Sequence, residues 1–149
     1  MCNFSRKAKL NPSDIIPNEG VELVTPDKVQ IDLRAIQIPG LSDLPRCWIL
    51  KVSSSGSMQP VMFGGHNTLL IQGRNHTDHT AIVDWLFNQE PGNIAVYDRG
   101  DMTIHHRVVG KKLDKDGPYL VFKGDHNSRK DPVKVRPGMI EWVSIGTIY

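Results

Sequence analysis

A serine hydroxyl becomes a nucleophile only when a base lies within hydrogen-bond reach. This chain carries the residue types for such a pair. Ser53-Ser54-Ser55-Gly56-Ser57-Met58-Gln59-Pro60 follows the apolar run Cys47-Trp48-Ile49-Leu50-Lys51-Val52. A strand that breaks into small hydroxyl residues, a glycine and a proline presents a serine at a bend, although ordinary turn chemistry accounts for most such stretches. Candidate bases are the lysines and six histidines, His66, His76, His79, His105, His106 and His126. Asp125 and Asp131 stand in a polar loop and are of the type that orients a histidine in serine–base–carboxylate chemistry. The histidines also invite a metal reading, since His76 and His79 are three apart with His66 not far off. No cysteine or acidic residue has a recognised metal spacing with them, so no metal and no other cofactor is expected.

The elements that must position these residues are mostly short strands. Residues 1–20 hold Pro12, Pro17 and Gly20 without periodicity and read as an irregular arm ahead of one domain over 21–149. A short strand is expected at 21–24. Val29, Ile31 and Leu33 alternate with Gln30, Asp32 and Arg34, the pattern of a half-buried strand, with 36–38 as an extension. Pro39-Gly40 turns the chain and 41–46 is a loop. A strand over 47–53 delivers the serine segment. Further strands are expected at 68–71, 93–97, 102–109 and 119–123, with Asp114-Lys115-Asp116-Gly117 as a hairpin turn. Lys134-Val135 and then 140–149 close the sheet. One helix is expected over about 78–90, capped by Thr77 or Asp78, with Ile82, Trp85 and Leu86 on its core face, ending before Pro91-Gly92. The sum is a mainly β, partly closed antiparallel fold with one inserted helix.

Composition narrows the function classes. The 149 residues carry 18 basic and 16 acidic side chains, a net charge of +2, with no basic run, which gives no case for nucleic acid. No apolar stretch reaches the roughly 18 residues of a membrane span, and the basic N-terminus lacks the apolar region of a secretory signal. A cytoplasmic location is therefore expected. With Cys2 and Cys47 as the two cysteines, a disulfide framework is not expected, and Cys47 reads as a buried thiol.

Four stretches resemble the boxes of type I signal peptidases, in that family's order, over residues 53–146. Ser55-Gly56-Ser57-Met58-Gln59-Pro60 is similar to the S-G-S-M-x-P box. Pro91-Gly92-Asn93-Ile94-Ala95-Val96-Tyr97 resembles the G-D-I-V-V-Y strand, with Asn93 in place of Asp. Ile104-His105-His106-Arg107-Val108-Val109-Gly110 resembles the base-bearing strand, which is Lys-Arg in bacterial forms and His-Arg in archaeal and endoplasmic-reticulum forms. Lys123-Gly124-Asp125-His126-Asn127, followed by Asp131, resembles the K-G-D-N-N-x-x-x-D box of the histidine-using branch, with His126 replacing the first Asn.

The resemblance implies the signal peptidase-like fold and a serine endopeptidase. Ser57 is then the nucleophile and His106 the general base. His105, next to it on a strand, points to the opposite face. Asp131 orients His106, and Asp125 shares that task or fixes the loop. The Ser57 backbone N–H and the Ser55 hydroxyl form an oxyanion hole, and Met58 packs beside the nucleophile and shapes the groove. The implied substrate is an extended peptide or protein segment that adds as a strand, with small side chains before the cut. Two departures stand out: the family is membrane-anchored and this chain shows no anchor, and the helix reads as an insertion. Repressor-style self-cleavage, which the same fold serves elsewhere with a Ser-Lys dyad, is disfavoured. The base position holds His, no helix-turn-helix precedes the site, and the N-terminal arm has no Ala-Gly pair. The alternative is a non-catalytic module that keeps the fold for a structural or partner-binding role. A histidine base predicts a cleavage rate that falls on acidification; a rate flat from about pH 8 to about pH 5 tells against it.

Overall fold

A computed structural model describes residues 21–25, 28–31, 47–72 and 76–148. The expected arm over 1–20, the extension at 36–38, the Pro39-Gly40 turn and the loop at 41–46 lie outside those residues, as do the side chains of Cys47, His76 and His79. The chain divides into two compact units, Met1–Leu44 and Pro45–Tyr149. In the first, β1 (Val21–Thr25) and β2 (Lys28–Ile31) pair antiparallel, with Val21 opposite Ile31 and Leu23 opposite Val29.

The second unit is built on six strands and one helix. The strands are β3 (Cys47–Lys51), β4 (Asn67–Gln72), β5 (Ile94–Asp98), β6 (Thr103–Asp114), β7 (Gly117–Lys123) and β8 (Ile140–Ile148). They form one sheet in the order β3-β4-β8-β5-β6-β7, and every neighbouring pair is antiparallel. The sheet is open: closure requires the edge strands to pair, and β3 and β7 stand at opposite ends of the order. This corrects the expectation of a partly closed barrel. The reason lies in β8, which was expected to close the sheet and instead inserts between β4 and β5. Val135 makes a single bridge to Leu120 rather than a strand.

Burial follows position in the sheet. β5 lies between β8 and β6, and Ile94, Ala95, Val96 and Tyr97 are all buried, as the continuous apolar run of an inner strand requires. β6 runs on past Val109, beyond its expected end, because the hairpin partner β7 carries the pairing to Asp114 opposite Gly117. Asp114 fixes that hairpin. It accepts from the Asp116 backbone N–H at 3.0 Å, from Arg136 at 2.7 Å and from Lys134 at 2.8 Å. The core comprises Leu70, Ile71, Tyr97, Leu120, Phe122, Val135, Ile140 and Val143, all at most 1% exposed.

The helix α1 spans His76–Asn88, so Thr77 and Asp78, expected as caps, fall in its first turn. Ile82, Val83 and Leu86 are buried, and Trp85, expected on the core face, is half-buried. Lys111 Nζ on β6 donates to the Phe87 carbonyl at 2.7 Å, which satisfies one of the orphan acceptors at the helix end. Phe122 is fully buried, and its ring lies 4.9 Å from that of Tyr97. Phe122→Ala is expected to destabilise this unit by about 3–5 kcal/mol, read as a lower urea midpoint with unchanged slope.

Candidate active site

The serine bend is a closed loop between β3 and β4. The Val52 N–H donates to the His66 carbonyl at 2.8 Å and the Gly65 N–H to the Val52 carbonyl at 3.0 Å, which ties the two ends together. Inside the loop, Gly56 has φ +74°, a left-handed conformation that favours glycine. The Gln59 N–H then bonds the Gly56 carbonyl at 3.1 Å and the Met62 N–H bonds the Met58 carbonyl at 2.9 Å, so one helical turn follows Ser57. Met58 and Met62, four apart on that turn, are buried with Ile94, and Val52 and Val61 pack against them. Met58 thus anchors the bend to β5 while Ser57 next to it remains half-buried.

The serine meets a histidine and the histidine a carboxylate. Ser57 Oγ lies 3.0 Å from His106 Nε2, and His106 Nδ1 lies 2.7 Å from Asp131 Oδ2. Tyr97 donates its hydroxyl to the same Asp131 oxygen at 2.9 Å. The side chains of His106 and Asp131 are each only 10% exposed. Burial pushes the Asp131 carboxyl up, but hydrogen bonds from His106 and Tyr97, with the charges of His106 and Arg99, outweigh it and hold the group below its ordinary value. Tyr97 is pushed well up, first by burial and then by its bond to Asp131, so it stays a donor. An ionised carboxylate only accepts, so Nδ1 of His106 carries the hydrogen. In the neutral ring the Nε2 lone pair is left for the Ser57 hydroxyl.

Asp125 has a different partner. Arg107 grips it in a two-pronged pair, Nε to Oδ1 and an Nη to Oδ2, both at 2.7 Å, and a third guanidinium N–H reaches the Gly92 carbonyl at 2.6 Å. The carboxylate on the His106 ring is that of Asp131; Asp125 joins its loop to the start of β5 through Arg107. The same loop touches the serine bend directly, since the His126 N–H donates to the Ser57 carbonyl at 2.9 Å. A side chain on Gly124 would come within 2.6 Å of that carbonyl, so glycine is required for the approach.

Ser55 Oγ lies 3.2 Å from Ser57 Oγ and 3.5 Å from the Ser57 backbone nitrogen. The second distance exceeds a normal N–H···O bond, so this N–H is only weakly engaged. A cleft of about 440 Å³ opens beside these groups, with Leu50, Val52, Met58 and Ile104 among its apolar wall and Ser55, Ser57, His105 and His106 among its polar one. His105 engages Ser144 Oγ at 2.7 Å rather than Ser57. The sequence reading missed Tyr97 and the clamping role of Arg107. Tyr97 closes the apolar run of β5, and strand alternation sets Ala95 and Tyr97 on one side and Ile94 and Val96 on the other. Only the fold shows which side meets Asp131. No helix among the described residues is long and apolar enough to cross a membrane.

His105 is pulled from 6.5 down to about 4, chiefly by burial and then by the charge of His106. A histidine depressed in the folded state binds fewer protons there than in the unfolded chain. Its stabilisation is therefore complete above about pH 6.5 and is lost as pH falls toward about 4. Asp131, also depressed, adds its own loss only below the ordinary carboxylate value of 3.8. The melting temperature is thus expected to fall between about pH 6.5 and 4, and His105→Gln to flatten that fall; parallel pH curves for the two proteins would contradict the assignment. Compared with protein-family models, with curated proteins and with solved structures, the chain matches none.

Proposed function

We propose that this chain is a serine endopeptidase that cleaves an extended peptide segment through an acyl-enzyme. The observation that carries the reading is the continuous set of contacts from Ser57 Oγ through His106 to Asp131, at 3.0 Å and 2.7 Å. A serine on a tight bend, its hydroxyl on a ring nitrogen and a largely shielded carboxylate behind that ring are what base-activated acyl transfer requires. A non-catalytic module expects hydroxyl and ring to stand apart, beyond roughly 4 Å. The resemblance of the four boxes to histidine-using signal peptidases points the same way.

In this mechanism Ser57 Oγ attacks the scissile carbonyl carbon as its proton passes to His106 Nε2. Asp131 stabilises the imidazolium and Tyr97 holds Asp131. The oxygen that gains charge is received by the Ser57 N–H and the Ser55 hydroxyl; one such donor is worth roughly 3 kcal/mol in the barrier. The proton on His106 goes to the leaving amine. Water then attacks the acyl ester with His106 again as base, releasing the acid and restoring Ser57. β3 supports binding by strand addition. It is an edge strand, its outer side pairs with no other strand among the described residues, and it leads into the serine bend.

A serine-directed acylating probe is expected to label Ser57, and Ser57→Ala to abolish both labelling and peptide cleavage without altering the fold. Asp131→Asn is expected to lower kcat by roughly 10⁴-fold through the wrong tautomer. Tyr97→Phe, which removes one of two donors to Asp131, is expected to cost about tenfold. Cleavage that persists in Ser57→Ala would sink the reading.

A further inference from the structure

A second hydroxyl–imidazole contact borders the same cleft, and the mechanism above leaves it unused. His105 Nε2 lies 2.7 Å from Ser144 Oγ, Ser144 Oγ lies 3.2 Å from Thr68 Oγ1, and Thr68 donates to the Gly146 carbonyl at 3.1 Å. Making all three contacts at once sets the direction of each. A hydroxyl has one hydrogen and a carbonyl oxygen only accepts. The Thr68 hydrogen is committed to Gly146, so Ser144 must donate to Thr68. With the Ser144 hydrogen on Thr68, His105 completes the chain by donating through Nε2–H. With its pKa pulled down to about 4 by burial and by His106, the ring is neutral near pH 7. A neutral imidazole with hydrogen on Nε2 carries a bare lone pair on Nδ1. Among the described residues no group donates to that nitrogen, and the residue borders the cleft.

Apolar residues stand in register with the members of this chain of contacts. In the sheet register Val96 is opposite His105, Leu70 opposite Ser144 and Leu50 opposite Thr68, and these three also border the cleft. We propose that His105 Nδ1 is a fixed acceptor in the cleft wall that selects a peptide bearing a Ser or Thr side chain at one position. The proposal rests on the peptide-cleaving reading and names a feature of its substrate. Threonine suits the site best, because its hydroxyl donates to Nδ1 while its methyl group packs on the apolar wall. Valine fills the same space but leaves the lone pair shielded from water without a donor. A carboxylate has no hydrogen to give, and a lysine brings its charge against apolar neighbours. Ser144 and Thr68 are positioning residues that hold the tautomer.

Nitrogen-15 NMR of histidine-labelled protein near pH 7 reads the tautomer directly. The expected result is His105 protonated at Nε2, with that preference lost in Ser144→Ala; a wild-type ring protonated at Nδ1 overturns the proposal. A displayed library of extended peptides is then selected on the Ser57→Ala protein, which needs no turnover. Ser and Thr are expected to be enriched at one position, Thr over Val by about tenfold. That ratio is expected to fall to about one in His105→Leu and in the milder Ser144→Ala background. No enrichment, or a ratio unchanged in both variants, overturns the proposal. Absence of Ser57-dependent cleavage of the selected peptides tells against the peptidase reading and leaves the selection result standing.

Discussion

One oxygen atom, Asp131 Oδ2, carries the arrangement. It accepts from a ring on β6 and from a phenol on β5, and both donors are buried or nearly so. Removing a carboxylate from water is costly unless hydrogen bonds to its charged form replace the lost hydration. Two strands therefore converge on a residue that belongs to neither. The backbone sets Asp131 in place, since its N–H bonds the Phe122 carbonyl at 2.8 Å at the end of β7. The Phe122 ring then packs against Tyr97. Core packing and the polar network are thus one construction: the same two aromatic residues fill the interior and aim the carboxylate.

The serine enters this construction through backbone. The loop after β7 reaches it with the His126 N–H, and that approach depends on Gly124 having no side chain. Arg107 binds the loop back to Gly92 through Asp125. A two-pronged guanidinium–carboxylate pair fixes orientation as well as distance. The serine bend, the β5 entry and the carboxylate loop are consequently held in register by bonds that leave the Ser57 hydroxyl itself unencumbered by structural duty.

Most of the elements could be read from the residues because the signals are local. Alternation marked β2, the apolar run marked β5, and Asp114 to Gly117 marked the turn before β7. The sheet order is not local. Nothing in residues 140–148 says that β8 lies between β4 and β5, which is why closure into a barrel was a natural expectation and an incorrect one. The site shows the same division. Ser57, His106 and Asp131 were singled out by type and motif, yet their contacts join residues 49 and 25 positions apart. Tyr97 stands 34 positions from its carboxylate and read as strand filler. By residue type alone Asp125 and Asp131 were interchangeable, and only the resemblance put Asp131 on His106; in the fold Arg107 tells them apart, because a neighbouring cation claims one carboxylate and leaves the other for the imidazole.

The edge strand β3 has a further consequence. Trp48, Ile49 and Leu50 are 47%, 60% and 46% exposed, on a strand whose outer backbone groups have no sheet partner among the described residues. An apolar, unpaired edge is a template for any extended chain, including another copy of the same protein. Lys51, at the end of the strand, is the one charge along it. A second copy, or the peptide of the proposed function, would draw on the same row of N–H and C=O groups in adding to this edge.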